Sequence, residues 1–236
     1  MPIDAPVSLT SGSSVTNASS YTTASITPSA NKLIVVYVAS TDNITTIVTP
    51  TLSGNGLTYV QIATVQVTEV ARITAFRAMG AAPSSGAITI SFGSELQANC
   101  SWSVFEIGSV DTTGTNGSGA VVQSATNSSA VNVTSLTVTL AAFADANNAT
   151  VGGFMHRIVE ATTPGTGFTE IHDVFPGAEN NALETEYRTD NDTSVDASWA
   201  TTARVVGIAL EIKFAAAGVT HDAAAVLAAT ASSSLV

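Results

Sequence analysis

Between Arg204 and Phe214 large apolar residues fall on every second position. Val206, Ile208, Leu210, Ile212 and Phe214 alternate with Gly207, Glu211 and Lys213 among others. Side chains of an extended chain point to opposite faces in turn, so this period of two describes a strand with one face on a core. The same alternation recurs in Ala87 to Phe92, where Ile88, Ile90 and Phe92 share a face, and in Leu136, Val138 and Leu140. Lys32 to Ala39 differs: Leu33-Ile-Val-Val-Tyr-Val-Ala39 is apolar on both faces, as in a central strand covered from two sides. Gly54-Asn55-Gly56 is a strong turn signal, followed by a strand over Tyr59 to Val67. Further strands are expected at Tyr21 to Ile26, Arg72 to Met79, Ser101 to Ile107, Thr150 to Ile158, Phe168 to Phe175, Leu183 to Thr189 and Ser194 to Ala200. The first ~30 residues read as a Ser/Thr-rich lead-in that contains the Tyr21 to Ile26 strand, and Asp111 to Gly119 as a Gly/Thr/Asn loop. No helical period stands out before residue 215, apart from a turn near Ala141 to Asn147.

Roughly ten to thirteen short strands with turns between them predict an all-β fold, an antiparallel β-sandwich of jelly-roll type. Successive strands lie too close in sequence for helical crossovers, which makes the sheets mostly antiparallel. The expected organisation is a single sandwich over 1–214, followed by a tail over 215–236. That tail is rich in Ala and Ser, and Asp222-Ala-Ala-Ala-Val-Leu-Ala-Ala could start a short helix. Its sizeable apolar groups, Val226, Leu227, Leu235 and Val236, are too few for a core of their own, so the tail reads as an assembly arm for a neighbouring subunit.

Composition supports strands and narrows function. Of the 236 residues, 61 are Ser or Thr, 45% are apolar and only 11% are charged. Long helices need Glu, Lys, Leu and Arg in quantity, and disorder needs low hydrophobicity with high charge. The net charge of −11 rests on two Lys and five Arg against 18 acids. That balance disfavours nucleic acid and anionic membrane, whose phosphates need clustered cations. No apolar run approaches the length of a membrane-spanning helix, and the first residues show no secretory signal pattern. Cys100 is the single cysteine, which excludes an intramolecular disulfide and a Cys-rich zinc site; it reads as a buried, inert thiol. Eight Asn-x-Ser/Thr sequons read as β-rich composition.

Three stretches carry a likeness to a known group: Ser25 to Ser40 (SITPSANKLIVVYVAS), Arg72 to Phe92 (RITAFRAMGAAPSSGAITISF) and Ser101 to Thr113 (SWSVFEIGSVDTT). Their layout is a Ser/Thr lead-in, an Asn-basic-apolar run, a Gly-x-Ile-x-Ile-x-Phe strand and an aromatic strand ending in a Gly-x-Val-Asp-like turn. Over about residues 5 to 214 this resembles a β-sandwich module of tailed-bacteriophage virion proteins. The resemblance implies structural or attachment work on a capsid exterior, head fibre or tail, synthesis in the host cytoplasm, and association with itself and other virion proteins. It supplies no catalytic residues.

Residues able to carry chemistry are sparse. There is no Gly-x-Ser-x-Gly elbow for a serine nucleophile, and the three His are His156, His172 and His221. Glu160, Glu170 and Asp173 flank His156 and His172; on a regular strand Glu170 and His172 share a face, which would permit a metal site. Asp190, Asp192 and Asp196 present oxygen ligands at alternating positions as calcium loops do, though Val195 and Thr201 stand where such a loop carries Gly and its final acid. Calcium is therefore the one candidate cofactor. Trp199, beside that acidic stretch, is the candidate sugar-stacking aromatic. The expected function is that of a non-enzymatic virion component. The alternative is a carbohydrate-binding or adhesion module, calcium-dependent through residues 190–196, with a host-surface glycan as partner.

Overall fold

A computed structural model describes residues 3–41, 48–67, 71–176 and 181–215. The tail over 216–236, with Val226, Leu227, Leu235 and Val236, lies outside the described residues. The chain is all-β, an antiparallel sandwich, as its alternation predicts. Sheet I runs in the order β1 (Val7–Ser14), β9 (Asn99–Ile107), β3 (Leu33–Thr41), β7 (Ala71–Ala78) and β6 (Val60–Val67). Sheet II runs β10 (Val121–Thr139), β15 (Ser194–Ile212), β11 (Ala149–His156), β14 (Ala182–Arg188) and β13 (Thr169–Val174), with β12 (Thr163–Pro164) also paired to β15. Every pairing is antiparallel.

The core between the sheets takes the alternating residues of β15, with Val206, Ile208, Leu210 and Ile212 all buried. They meet Leu33, Val35, Tyr37 and Phe105 from sheet I. The other face of sheet I is covered too. A small third sheet, β2 (Ser20–Thr22), β8 (Thr89–Ser91), β4 (Thr51–Gly54) and β5 (Leu57–Thr58), packs Tyr21, Ile88 and Ile90 over Ile34, Val36 and Val38. That is why β3 is apolar on both faces. The β4–β5 turn holds Asn55 and Gly56 at φ 56 and 63, the paired left-handed conformations of a tight two-residue hairpin.

Three expectations change. The lead-in before Tyr21 contains β1, an edge strand of sheet I; its residues, VSLTSGSS, are too small and polar to announce a core face. The segments 194–200 and 204–214 belong to one 19-residue strand, β15, and Leu136 to Leu140 is the end of an equally long β10. These two strands do not run straight. Gln123 exchanges hydrogen bonds with the backbone of Ala141, and Asn127 donates to the carbonyl of Thr137. Ten residues of straight strand would hold such groups about 34 Å apart. The ribbon therefore doubles back, at the register breaks between Ser129 and Ser135 that face residues 198–203 of β15.

Candidate functional site: a covered acidic face

The returning arm of the ribbon lies on the outer face of sheet II and closes a third core. Val138, Leu140, Val195, Ala197 and Trp199 of the arm pack against Phe154, Val205 and Ala209 of the sheet. Gly152 and Gly207 make the approach close: a Cβ on Gly152 would sit 2.6 Å from Val195, and one on Gly207 3.0 Å from Val138.

Beside this core, the same face of β14 carries Glu184 and Glu186, both fully buried. Asp173 on β13 stands directly opposite Glu184, and Glu170 opposite Glu186. The segment leading through β12 covers them: the Gly165 amide donates to Glu186 Oε2 at 2.9 Å and the Thr162 amide to Asp173 Oδ2 at 3.0 Å. His156 on β11 is also fully buried; its Nε2 lies 2.9 Å from Thr162 Oγ1 and its ring stacks on Trp199 at 4.8 Å. Both oxygens of Glu184, Oε1 of Glu186, Oδ1 of Asp173 and Nδ1 of His156 have no hydrogen-bond partner. Burial dominates the electrostatics. It raises Glu184 well above the usual carboxyl range, helped by the charges of Glu186, Asp173 and Glu170. Burial likewise takes Glu186 up to about 8 and Asp173 to about 6, and lowers His156 to about 4. Near neutral pH the buried Glu184 and Glu186 thus keep protons, while the half-buried Asp173 has largely released its own.

A second polar group sits at the edge where β1 and β13 meet. His172 Nε2 is 2.6 Å from Ser8 Oγ, its Nδ1 is 2.8 Å from Ser103 Oγ, and Ser103 Oγ is 2.8 Å from Thr185 Oγ1. Each of the two edge strands is irregular here, β1 between Ser8 and Thr10, β13 between Glu170 and His172. The second irregularity overturns the shared face expected for Glu170 and His172. Glu170 pairs with Glu186 on the outer face and His172 with Thr185 on the inner one, because the extra residue, Ile171, reverses the alternation. A serine hydroxyl on an imidazole whose second nitrogen is held resembles a nucleophile and its base. However, the neighbouring cleft of about 280 Å³, lined by Ala5, Gly167, Thr169, Tyr187, Arg188 and Asp190 among others, does not include Ser8.

The calcium candidates are not brought together. Asp190 and Asp192 each accept from Arg188 at 2.6 Å, and Asp192 also caps the Ser194 amide. Asp196 lies on β15 opposite Thr137. Among the described residues no three His, Cys, Asp or Glu side chains converge as a metal would require. Trp199 is no sugar platform: it is buried, with its indole N–H on the Val133 carbonyl, because the bend of β15 turns it inward onto His156. Cys100 is fully buried, and burial pushes its thiol well up.

Comparison with protein-family models, curated proteins and solved structures gives no match. The reading of the chain therefore rests on its own residues. Sequence reasoning missed Glu184, Glu186, Ser8 and Ser103. The Glu-x-Glu spacing in Leu183-Glu-Thr-Glu-Tyr187 is visible, but on an antiparallel strand it signals a wet face until something covers it.

Proposed function

We propose that this chain is a non-enzymatic structural subunit of a self-associating particle, a virion component of the kind its sequence resembles. One observation carries the reading. Among the described residues, both sheets end on one side of the sandwich in long strands with no charged residue, proline or glycine: β6 (VQIATVQV) and β10 (VVQSATNSSAVNVTSLTVT). Edge strands present open backbone donors and acceptors, and proteins that must stay monomeric usually blunt them with Lys, Pro or bulges. Bulges interrupt β10 at its bend and β6 between Gln61 and Ala63, but neither strand carries a charge or a proline, and Gln123 to Ser129 of β10 stays in unbroken register. An edge so neutral offers no electrostatic code for a foreign partner. It suits antiparallel pairing with a second copy of itself, which continues both sheets across a twofold axis.

Analytical ultracentrifugation of the full chain tests this. The wild type should sediment as a discrete oligomer. Lysines at the exposed positions Ser124 and Thr126 should convert it to a monomer with an unchanged melting temperature, since neither side chain is buried. A wild-type monomer, or an oligomer indifferent to both lysines, overturns the reading. The glycan-binding alternative loses its specific support with the burial of Trp199.

A further inference from the structure

We propose that the buried carboxyls Glu184 and Glu186 of β14, with the half-buried Asp173 of β13 beside them, form a proton-operated clasp: while protonated they let the segment 157–168, with β12, close over sheet II, and their ionisation lifts it. The geometry begins with Glu184. It is fully buried, faces Asp173 across the ladder, and neither of its oxygens has a partner. A protonated carboxyl tolerates that environment far better than an ion does, because an unpaired buried charge loses its hydration without recompense. Glu186 and Asp173 each leave one oxygen bare as well.

The groups around the cluster add to the pressure against ionisation. From β14 and β13 come Glu186, Asp173 and Glu170, whose charges all act on Glu184. From β15 and the turn before it, Asp196 and Asp192 act on Glu186. From β11 comes His156, held neutral by burial, with Glu160 the nearest acid acting on it. The cover itself contributes the amides of Thr162 and Gly165, which favour the ions but reach one oxygen each of Asp173 and Glu186 and neither oxygen of Glu184. Arg188, at the far end of the cover, is already committed to Asp190 and Asp192. The two lysines are committed elsewhere, Lys32 to Glu106 and Lys213 to Asp111. Arg157 on the cover and Arg204 on β15 have interactions of their own, and the side-chain charges acting on Glu184 are all acidic, so ionised Glu184 needs water, which reaches it when the cover lifts.

The sign of the pH effect follows from proton counting. Glu186, raised from 4.5 to about 8, and Asp173, raised from 3.8 to about 6, hold protons in the folded state that the unfolded chain has released. Their stabilisation is complete below the unfolded values and is lost as pH rises through the folded ones. His156, lowered from 6.5 to about 4, works the other way, its contribution being lost as pH falls from 6.5 towards 4. The opposition ends above 6.5, so from pH 6.5 to 8.5 the carboxyls act alone.

The test is amide hydrogen exchange and thermal melting of the full chain across that range, with intrinsic exchange rates divided out. Protection of the Thr162 and Gly165 amides should fall by up to about tenfold per pH unit for each carboxyl that ionises, while β3 amides keep theirs. The melting temperature should decline over the same range. Glu184→Gln with Glu186→Gln should flatten both profiles, and Asp173→Asn, a milder change at the rim, should shallow them. Protection at Thr162 and Gly165 that does not change with pH in the wild type overturns the proposal, whether or not the variants fold. So does an undiminished slope in a folded double variant.

Discussion

At Ser8 and His172 the geometry alone permits two roles, and the chemistry of the surroundings separates them. The relay needs no reaction to account for it. With Nδ1–H donating to Ser103 and the Ser103 hydroxyl donating to Thr185, the Nε2 lone pair accepts from Ser8, and the edges of the two sheets are tied together. A non-enzymatic subunit should therefore form no Ser8 adduct with a fluorophosphonate, read by intact-mass spectrometry; stoichiometric labelling lost in Ser8→Ala and His172→Ala would establish a nucleophile. His172→Ala should instead cost stability, about 1–3 kcal/mol, by removing the donor to the buried Ser103 hydroxyl, which keeps only Thr185, and by cutting the tie to Ser8. Calorimetry should show a drop of several degrees. Ser8→Ala, at an exposed position, should shift melting much less. The Asn-basic-apolar run has a similarly local explanation. Asn31 takes a left-handed turn at φ 58, and Lys32 then reaches the buried Glu106, whose carboxylate also accepts from the Ser29 amide and hydroxyl.

The element that organises the molecule is the doubled β10–β15 ribbon, and its docking depends on two missing side chains. Val195 rests over Gly152 and Val138 over Gly207. Gly152→Ala forces a methyl to within 2.6 Å of the Val195 side chain and 3.1 Å of Glu186. Overpacking of this kind costs about 1–3 kcal/mol. The loss should fall on the returning arm, seen as faster exchange in the first half of β15 with the centre of β3 unaffected. Val195→Ala opens a small void by itself but makes room for the new methyl. The double variant should therefore be more stable than the sum of the two single changes predicts, by denaturant melts. Strict additivity would mean that the arm does not press on Gly152. The register of the ribbon was only half legible. The break between 200 and 204 was visible as a gap between two alternating runs. That both runs belong to one strand, folded on itself, was not, because bends depend on what lies beneath them.

Over the whole molecule, three cores close within the described residues, the last contact being Phe214 bridged to Val110, with the Ala215 amide on Ser109. Read as an assembly arm, the tail adds nothing to these cores, so a chain truncated after Ala215 should melt within about two degrees of the full one. A much lower melting point would place the missing segment in the fold. Sequence alone determined the all-β class, the antiparallel sheets, the doubly covered β3 and the hairpin at Asn55-Gly56, because alternation and turn conformations are properties of a few neighbouring residues. It also settled that cationic ligand surfaces are scarce, since a charge count needs no coordinates. Tertiary structure decided what covers each face. The pattern Glu184-Thr-Glu186 is the same whether water or a covering segment lies above it, and only the docking of residues 157–168 beside the folded ribbon makes it buried. The bend removed Trp199 from the surface, and a single extra residue at Ile171 turned His172 away from Glu170. Burial is a relation between segments far apart in sequence, and the chemistry of the carboxyls on β13 and β14 follows from burial.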